Sequence, residues 1–411
     1  MAIATGIAKK LKYKDEGATW GVVPAAASSQ SLRRVTSDID LEKETYQSNE
    51  IRDDYQVSDF RHGVRSVSGT IQGELSAGTY KDFFAAATRQ AWQAQVTTGS
   101  LVNLCTITTV SGMTAIIVRS SGSFITDGFK IGMVITATGF TTSSNNSHNM
   151  LITALTATNM SIATLDGVAP VAQATAVTTN TIVTAGTGKF TSVPLTAHTD
   201  KSFSIEHYYS DLTLSEVFSG CKVSQIDVNM PATGMATVSV GFTGKDITTA
   251  GAEYFTSPTA QTTTGIMAGV NGALYLNGTA VANITGMNLA INGNMNAEAV
   301  LGSNTRPDIF EGRVMVSGQM TVFFESATMR DLFINETEAA LTVVLTSANT
   351  PTADIIGFTM PRIKTGGAKK DDGEKGLVQT IPFTALLNTA GGTATTLSTL
   401  KTTLTIQDST A

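Results

Sequence analysis

"VSGTIQGELSAGTYKDFF" runs from Val67 to Phe84 and "VSGQMTVFFESATMRDLF" from Val316 to Phe333, so one local instruction is written twice, 249 positions apart. Val67, Gly69, Ile71, Gly73 and Leu75 alternate with Ser66, Ser68, Thr70, Gln72 and Glu74, the period of a strand with one apolar and one wet face. Val316, Gly318, Met320, Val322 and Phe324 repeat that alternation. Thr79 and Thr328 each open a Thr-x-x-Asp word, which predicts a capping-box-like helix start. Tyr80, Phe83, Phe84 and Ala87 then fall on one helical face. Each copy predicts a strand whose apolar face is covered by an amphipathic helix.

Aligned from Gly63/Gly312 to Phe84/Phe333, 7 of 22 positions are identical, where composition gives about one or two, and this marks an internal repeat. Lys81 faces Arg330, Ile71 faces Met320 and Leu75 faces Phe324, so charge and apolar character persist at mismatches. Upstream, "YQSNEIRDD" (Tyr46–Asp54) matches "LGSNTRPD" (Leu301–Asp308). Downstream, "IDVNMP" ending at Pro231 is set against "IGFTMP" ending at Pro361, and "TVSVGFTG" against "VQTIPFTA". The first copy carries an extra stretch of roughly a hundred residues, the size of a small domain. This stretch, 96–200, is nearly uncharged and reads as short strands broken by turns. The second copy has instead the polar loop "KTGGAKKDDGEKG". The expected organisation is an arm at 1–18, a first unit at 19–95 plus 201–246, an inserted all-β domain at 96–200, a linker at 247–264 and a second unit at 265–411. The fold class is mainly β, with two tandem sandwich or barrel units and a flanking α-helix on each.

Composition agrees: 411 residues, 15% charged, with 37 Gly and only 9 Pro and many Thr, Val and Ser, fits β-strands joined by turns. The formal net charge of −6 argues against a general nucleic-acid binder, which needs surplus Lys and Arg to displace counterions. The start shows no signal-peptide core and no later stretch reaches the uncharged length of a membrane span, so a soluble chain made in the cytosol is expected. Cys105 and Cys221 are expected as unpaired, packed thiols. "GTGKFTS" around Lys189 lacks the first glycine and the final Ser/Thr of a phosphate loop, and reads as a Gly-rich turn. His62, His148, His198 and His207 lack metal-ligand spacing, with His207 expected inside a strand. "KKDDGEKG" lacks the calcium-loop pattern. No enzyme, cofactor or metal is expected. Two other classes stand beside a structural protein: a surface adhesin or carbohydrate-binding β-protein, which should bring an export signal, and a virion enzyme such as a cell-wall hydrolase, which needs acids placed in a cleft.

With "GELSAGTYKDFFAA" (Gly73–Ala86), "FSGCKVSQIDVNMP" (Phe218–Pro231) and "GFTGKD" (Gly241–Asp246), the chain resembles the major tail tube proteins of long, non-contractile (siphovirus-type) bacteriophage tails. The resemblance covers most of 18–246 apart from the insert, and more weakly 265–408. It implies rings stacked into a tube, each ring closing its inner sheets into one barrel with helices outside, in a virion tail assembled in the host cytoplasm. The implied partners are copies of the chain itself, a tape-measure protein and double-stranded DNA held without specific binding in the lumen, and tail terminator and distal tail proteins at the ends. Two units per chain imply three chains per ring, a homotrimer matching the sixfold pattern of single-copy relatives, with the insert outside.

Physical logic leads the same way. A half-wet sheet has a polar face that must meet water and edges that invite other chains. Ring closure removes the edges, and about 24 strands leave a wide aqueous bore. In "VTSDIDLEKET", Asp38, Asp40, Glu42 and Glu44 alternate with Ile39, Leu41 and Lys43. With Gln72, Glu74 and Asp227 they are candidate lumen-lining residues that would repel a passing duplex. The same row also fits an ordinary solvated strand face or an external loop. The charge-rich stretch from Arg33 to Arg65 reads as an inter-subunit loop or as a plain exposed one. The candidates there are Glu50, Arg52, Asp53, Asp54 and Arg61, with Arg306 and Asp308 in the second copy. Lys9, Lys10, Lys12 and Lys14 fit a docking arm or a disordered terminus.

Overall fold

The strand expected around Ile71 is built as Phe60–Glu74 in the computed structural model, which describes residues 3–411 apart from 103, 177, 178, 187, 188, 372, 373, 375 and 390–399. It pairs on one side with Thr36–Ser37 and Asp40–Gln47, and on the other with Thr237–Gly244. Next comes the second half of an 18-residue strand, Leu214–Pro231. The first half of that strand turns into another sheet, between Phe203–Tyr209 and Asp246–Ala250, with Lys9–Asp15 beyond Phe203–Tyr209. One long strand is thus shared by two sheets whose apolar faces meet. The helix Lys81–Thr88 closes the gap: Phe83 lies 4.7 Å from the Tyr13 ring and 5.2 Å from those of Phe203 and Phe242. Gly69, at φ 146°, is demanded by this packing, since a Cβ there would sit 2.5 Å from the Ile39 Cα. A Cβ on Gly318 would likewise lie 2.3 Å from the Asn288 oxygen, which explains this repeated glycine.

The second unit repeats the plan down to its irregularities. Met315–Phe323 lies between Ile284–Asn292 and Val378–Ala385. Ile355–Thr365, continued by Lys369–Lys370, is the shared strand, and its other sheet adds Ala339–Thr346, Gly272–Leu276 and Thr405–Asp408. The register break at Phe203/Ile205 recurs at Ala339/Leu341. The Asp38 carboxylate accepts from the Thr70 N–H, and Asn288 Oδ1 accepts from the Gln319 N–H at 2.8 Å.

Register also corrects one part of the sequence alignment. Lys222 faces Thr243 and Lys364 faces Thr384, the threonines of the two Phe-Thr words. The counterpart of Ile226–Pro231 therefore begins at Ala368, in the polar loop, and the Met-Pro match at Pro231 and Pro361 is coincidental. Strand pairing, which sets equivalence, leaves no trace in a six-residue word.

The units meet through Gln225–Pro231, which pairs antiparallel with Gly286–Asn292. Eight strands then form one continuous sheet, running Asp40–Gln47, Phe60–Glu74, Thr237–Gly244, Leu214–Pro231, Ile284–Asn292, Met315–Phe323, Val378–Ala385 and the Ile355–Lys370 strand.

Other expectations change as well. Lys9–Asp15, read within an arm, is a strand of the first unit, with Lys12 buried beside Glu206 at 3.6 Å and the Phe255 carbonyl at 2.7 Å. The linker's start belongs to the strand Asp246–Ala250. Neither capping box forms. Thr79 Oγ1 instead meets Ser76 Oγ at 2.6 Å and Thr262 Oγ1 at 2.5 Å, and Asp82 accepts from the Tyr13 hydroxyl at 2.8 Å. Tertiary partners outbid the local cap, and the helices run Lys81–Thr88 and Thr328–Ile334 with no side-chain hydrogen bond at either N-cap.

The inserted stretch has its own six-stranded sheet within Cys105–Thr184 and its own core around Ile107, Ile117, Phe124, Ile152 and Ile162. It docks on the second unit. Val134, Leu151 and Ala185 pack with Tyr275, Val344 and Ile355, while the Gln407 side chain bonds both the N–H and the carbonyl of Val134 at 2.7 and 2.8 Å. Cys105 and Cys221 are free and buried. No helix among the described residues is long and apolar enough to cross a membrane.

Candidate polymer interface and polar sheet face

Strand alternation sends Ile226, Val228, Leu289, Ile291, Val316, Met320, Ile381 and Phe383 into the core, so their neighbours form the opposite face of the eight-stranded sheet. That face is concave where the two units join. A trough of about 660 Å³ is lined there by Asp227, Asn229, Asn288, Ser317, Gln319 and Thr384 among others. Asp227 is exposed, and each of its oxygens accepts from Gln225 Nε2 at 2.8 Å.

Cross-strand register places most of the predicted acidic row on this same face. Asp40 faces Ser68, Glu42 faces Ser66, Gln72 faces Ser239, Glu74 faces Thr237, and Ser239 in turn faces Asp227. Asp38 joins them through its bonds to the Thr70 N–H and, at 3.0 Å, the Thr70 hydroxyl. Glu44 leaves the row. It sits in a register shift between Lys43 and Thr45, and its carboxylate engages the Tyr46 hydroxyl and Arg306, the latter at 3.8 Å. Sequence reasoning passed over Asn229, Asn288, Asn292 and Lys369, although Asn288, Ala290 and Asn292 alternate with Met287, Leu289 and Ile291 in a legible strand pattern.

The loop candidates divide in two. Glu50, Arg52, Asp53 and Asp54 project into solvent on the loop before Phe60, where Ile51 and Tyr55 are fully exposed, and Arg61 is exposed at the start of the strand Phe60–Glu74. Arg52 pairs with Asp54 inside the loop, and Arg61 with Asp59 where the loop meets the strand, each at 2.7 Å. The matching loop of the second unit folds back over the first. The Arg65 N–H donates to the Asn304 carbonyl at 3.0 Å, Arg306 reaches Glu44, and Asp308 lies 3.4 Å from Lys222. Lys222 also donates to the Ile309 carbonyl at 2.9 Å and to Asp200 at 2.6 Å, and is buried by this cover. Arg89 pairs with Glu311 at 2.9 Å, and burial raises the Glu311 carboxyl above its usual range.

The other singled-out residues are structural. His207 lies in the strand Phe203–Tyr209, its Nε2 2.8 Å from the Ser37 hydroxyl. Burial, then Lys9 and Arg34, push its pKa down to about 3, so it is neutral in the folded chain. Burial pushes the Cys105 thiol up to about 11 and the Cys221 thiol further. Of the phosphate-loop-like word, Gly186 and Lys189 are described, while Thr187 and Gly188 lie outside the described residues. Lys189 starts the strand Lys189–Ser192, paired with Thr405–Asp408. Asp372, Gly373 and Lys375 of the polar loop also lie outside the described residues.

Two comparisons bear on this arrangement. A protein-family model described as phage tail tube protein matches residues 6–385, a span that takes in the first unit, the insert and the second unit as far as the strand Val378–Ala385. No curated protein matches the chain.

Proposed function

The chain belongs to the phage tail tube protein family, structural components of the virion tail that self-assemble into a tube, and from that premise we propose that three copies form each ring of a long, non-contractile tail. Each chain supplies two ring-forming units, so three chains give six pseudo-equivalent positions. The observation that carries this reading is the junction of Gln225–Pro231 with Gly286–Asn292, which makes one sheet continuous across two units. Three such sheets, closed edge to edge, give a barrel of about 24 strands, wide enough for an aqueous bore.

The concave polar face supports placing Asp38, Asp40, Glu42, Gln72, Glu74 and Asp227 on the wall of that bore. There they would repel a duplex bearing a charge about every 1.7 Å of its axis, keeping DNA and the tape-measure protein from sticking. The insert docks on the sheet of the second unit that lies away from this face, which supports an outer position. Rings would stack through the protruding loops into a conduit for genome ejection, bounded by tail terminator and distal tail proteins, after assembly in the host cytoplasm. The role is mechanical rather than catalytic. Electron microscopy of the purified protein with symmetry analysis tests this: tubes with three chains per ring and pseudo-sixfold modulation are expected, and six whole chains per ring would overturn it.

A further inference from the structure

We propose that the ring closes by antiparallel pairing of residues 367–371 of one chain with Asp38–Glu42 of a second copy, in the register that sets Lys369 opposite Asp40. This rests on the ring proposed above and names its joint. The template is the junction inside the chain, where Asp227 faces Ala290 and Asn229 faces Asn288. Cross-strand pairs make Lys369 the counterpart of Asp227, because Asp227 faces Ser239, Lys369 faces Thr380, and these two each stand three residues before the aligned Phe-Thr words. They make Asp40 the counterpart of Ala290, since Asp40 faces Ser68 and Ala290 faces Ser317. Carried over, the internal register puts Ala368 against Leu41, Lys369 against Asp40 and Lys370 against Ile39.

Hydrogen-bond parity fits on both edges. The Asp38 N–H donates inward to Thr70 and the Asp371 N–H inward to Val378. The alternate residues, Ile39, Leu41, Ala368 and Lys370, therefore turn their backbone groups outward, and these would be the bonded pairs. Both edges carry local stand-ins. The Leu41 N–H donates to the neighbouring Asp40 carboxylate at 2.7 Å, and the Ala368 carbonyl accepts from Gln379 Nε2 at 3.2 Å. Pairing of Leu41 with Ala368 replaces both and frees Asp40 for Lys369. Asp371 falls opposite Asp38, a like-charge contact moderated by the Thr70 bonds of Asp38 and by Lys369 on the diagonal.

The second unit is uncovered wherever the first is covered by its neighbour. Lys222 lies under the loop of the second unit, with 2% of its side chain exposed, whereas its counterpart Lys364 is 42% exposed. Phe84 is buried and meets the Phe358 ring of the second unit at 5.9 Å, whereas its counterpart Phe333 is 44% exposed beside exposed Ile334. The first unit's own loop, tipped by Ile51 and Tyr55, covers nothing. A second copy in the same relation buries all three.

The test is a full-length D40C/K369C chain, assembled and oxidised, then run on non-reducing gels. Lys369 and Asp40 form a non-hydrogen-bonded pair in this register, with side chains closest and Cα atoms within disulfide reach. Covalent species ending at a trimer are expected, with at least about tenfold less cross-linking in D40C/K370C, whose side chains point to opposite faces. Tubes in which E42C/K369C links instead would overturn the register, and tubes in which neither pair links would overturn the joint while leaving the ring standing. Failure of the unaltered chain to form tubes would sink the ring reading itself. If the double-cysteine chain does not assemble, charge exchange decides: D40K should weaken assembly by roughly fivefold or more at low salt and D40K/K369D should restore it. No loss in D40K, or no rescue by the exchange, refutes the pairing.

Discussion

Replacing Glu42, Glu74 and Asp227 together with lysine is the most direct test of the bore. All three lie on the polar face; Glu74 and Asp227 stand clear of the proposed joint, and Glu42 is at its end, opposite residue 367. Asp227 and Glu42 are exposed and Glu74 is half-buried, so folding should shift by no more than about 0.5 kcal/mol per site. In a ring of three chains the change puts about nine lysines where carboxylates stood. If each neutralises one phosphate, the slope of log K against log salt is about −0.9 × 9, or roughly −8 per ring. Binding would then fall about 10³- to 10⁵-fold between 50 and 200 mM salt, whereas a carboxylate wall would repel the duplex at both. The assay is triggered DNA ejection from particles with intact tails at those two salt levels. The lysine variant should eject slowly at 50 mM and recover at 200 mM, and E42Q/E74Q/D227N should show no such recovery. Native ejection rates at both salts would mean that these side chains face away from the DNA.

Four further outcomes are expected. The His207 imidazole titrates near 3 in the fold against about 6.5 unfolded, so the unfolded chain binds the extra proton. Stability should therefore decline as pH falls from 6.5 towards 3, by up to about 1.4 kcal/mol per unit, and denaturation of H207Q at pH 7.5 and 4.5 should show a shallower decline. F84A should cost about 3 to 5 kcal/mol in the isolated chain, whereas F333A should leave its denaturation midpoint nearly unchanged and act on assembly. K222A strips the partner from half-exposed Asp308 and from the Ile309 carbonyl and should cost about 1 to 3 kcal/mol by denaturation, with K364A within about 0.5. Replacing residues 95–188 by a short Gly-Ser linker, with V344T and I355T to re-wet the uncovered sheet, should leave tube formation visible in micrographs. The Gln93 N–H and the Phe190 carbonyl already sit 2.6 Å apart, so the ends can close.

What the sequence disclosed and what it withheld follow from the range of the interactions concerned. The strand at Ile71 and the helix at Phe83 were legible because alternation and helical spacing are local. Most of the second unit's other sheet was not. Gly272–Leu276 and Thr405–Asp408 are short, and Ala339–Thr346 is buried along its whole length, since one face packs the core and the other the insert. A strand covered on both faces loses the period that announces it. Lys9–Asp15 looked like an arm because Lys9, Lys10, Lys12 and Lys14 mask the apolar pair Leu11 and Tyr13, both buried. The acidic row was visible as a pattern, but the place where it ends was not: the shift beyond Lys43 and the arrival of Arg306 are tertiary events.

Divergence between the two copies carries information that neither copy holds alone. At the internal joint the partners are tethered, and no opposite-charge pair is needed: Asp227 faces Ala290, and Asn229 faces Asn288. At the proposed joint between chains, Lys369 and Lys370 replace Asp227 and Val228, and Asp40 replaces Ala290. A free edge must also reject wrong partners. Two copies of the edge bearing Asp38, Asp40 and Glu42 repel one another, as do two copies bearing Lys369 and Lys370, so only the head-to-tail pairing that closes a ring is favoured. The charge that looked like a solvated strand face in sequence is, on this reasoning, what makes the ring close in one direction only.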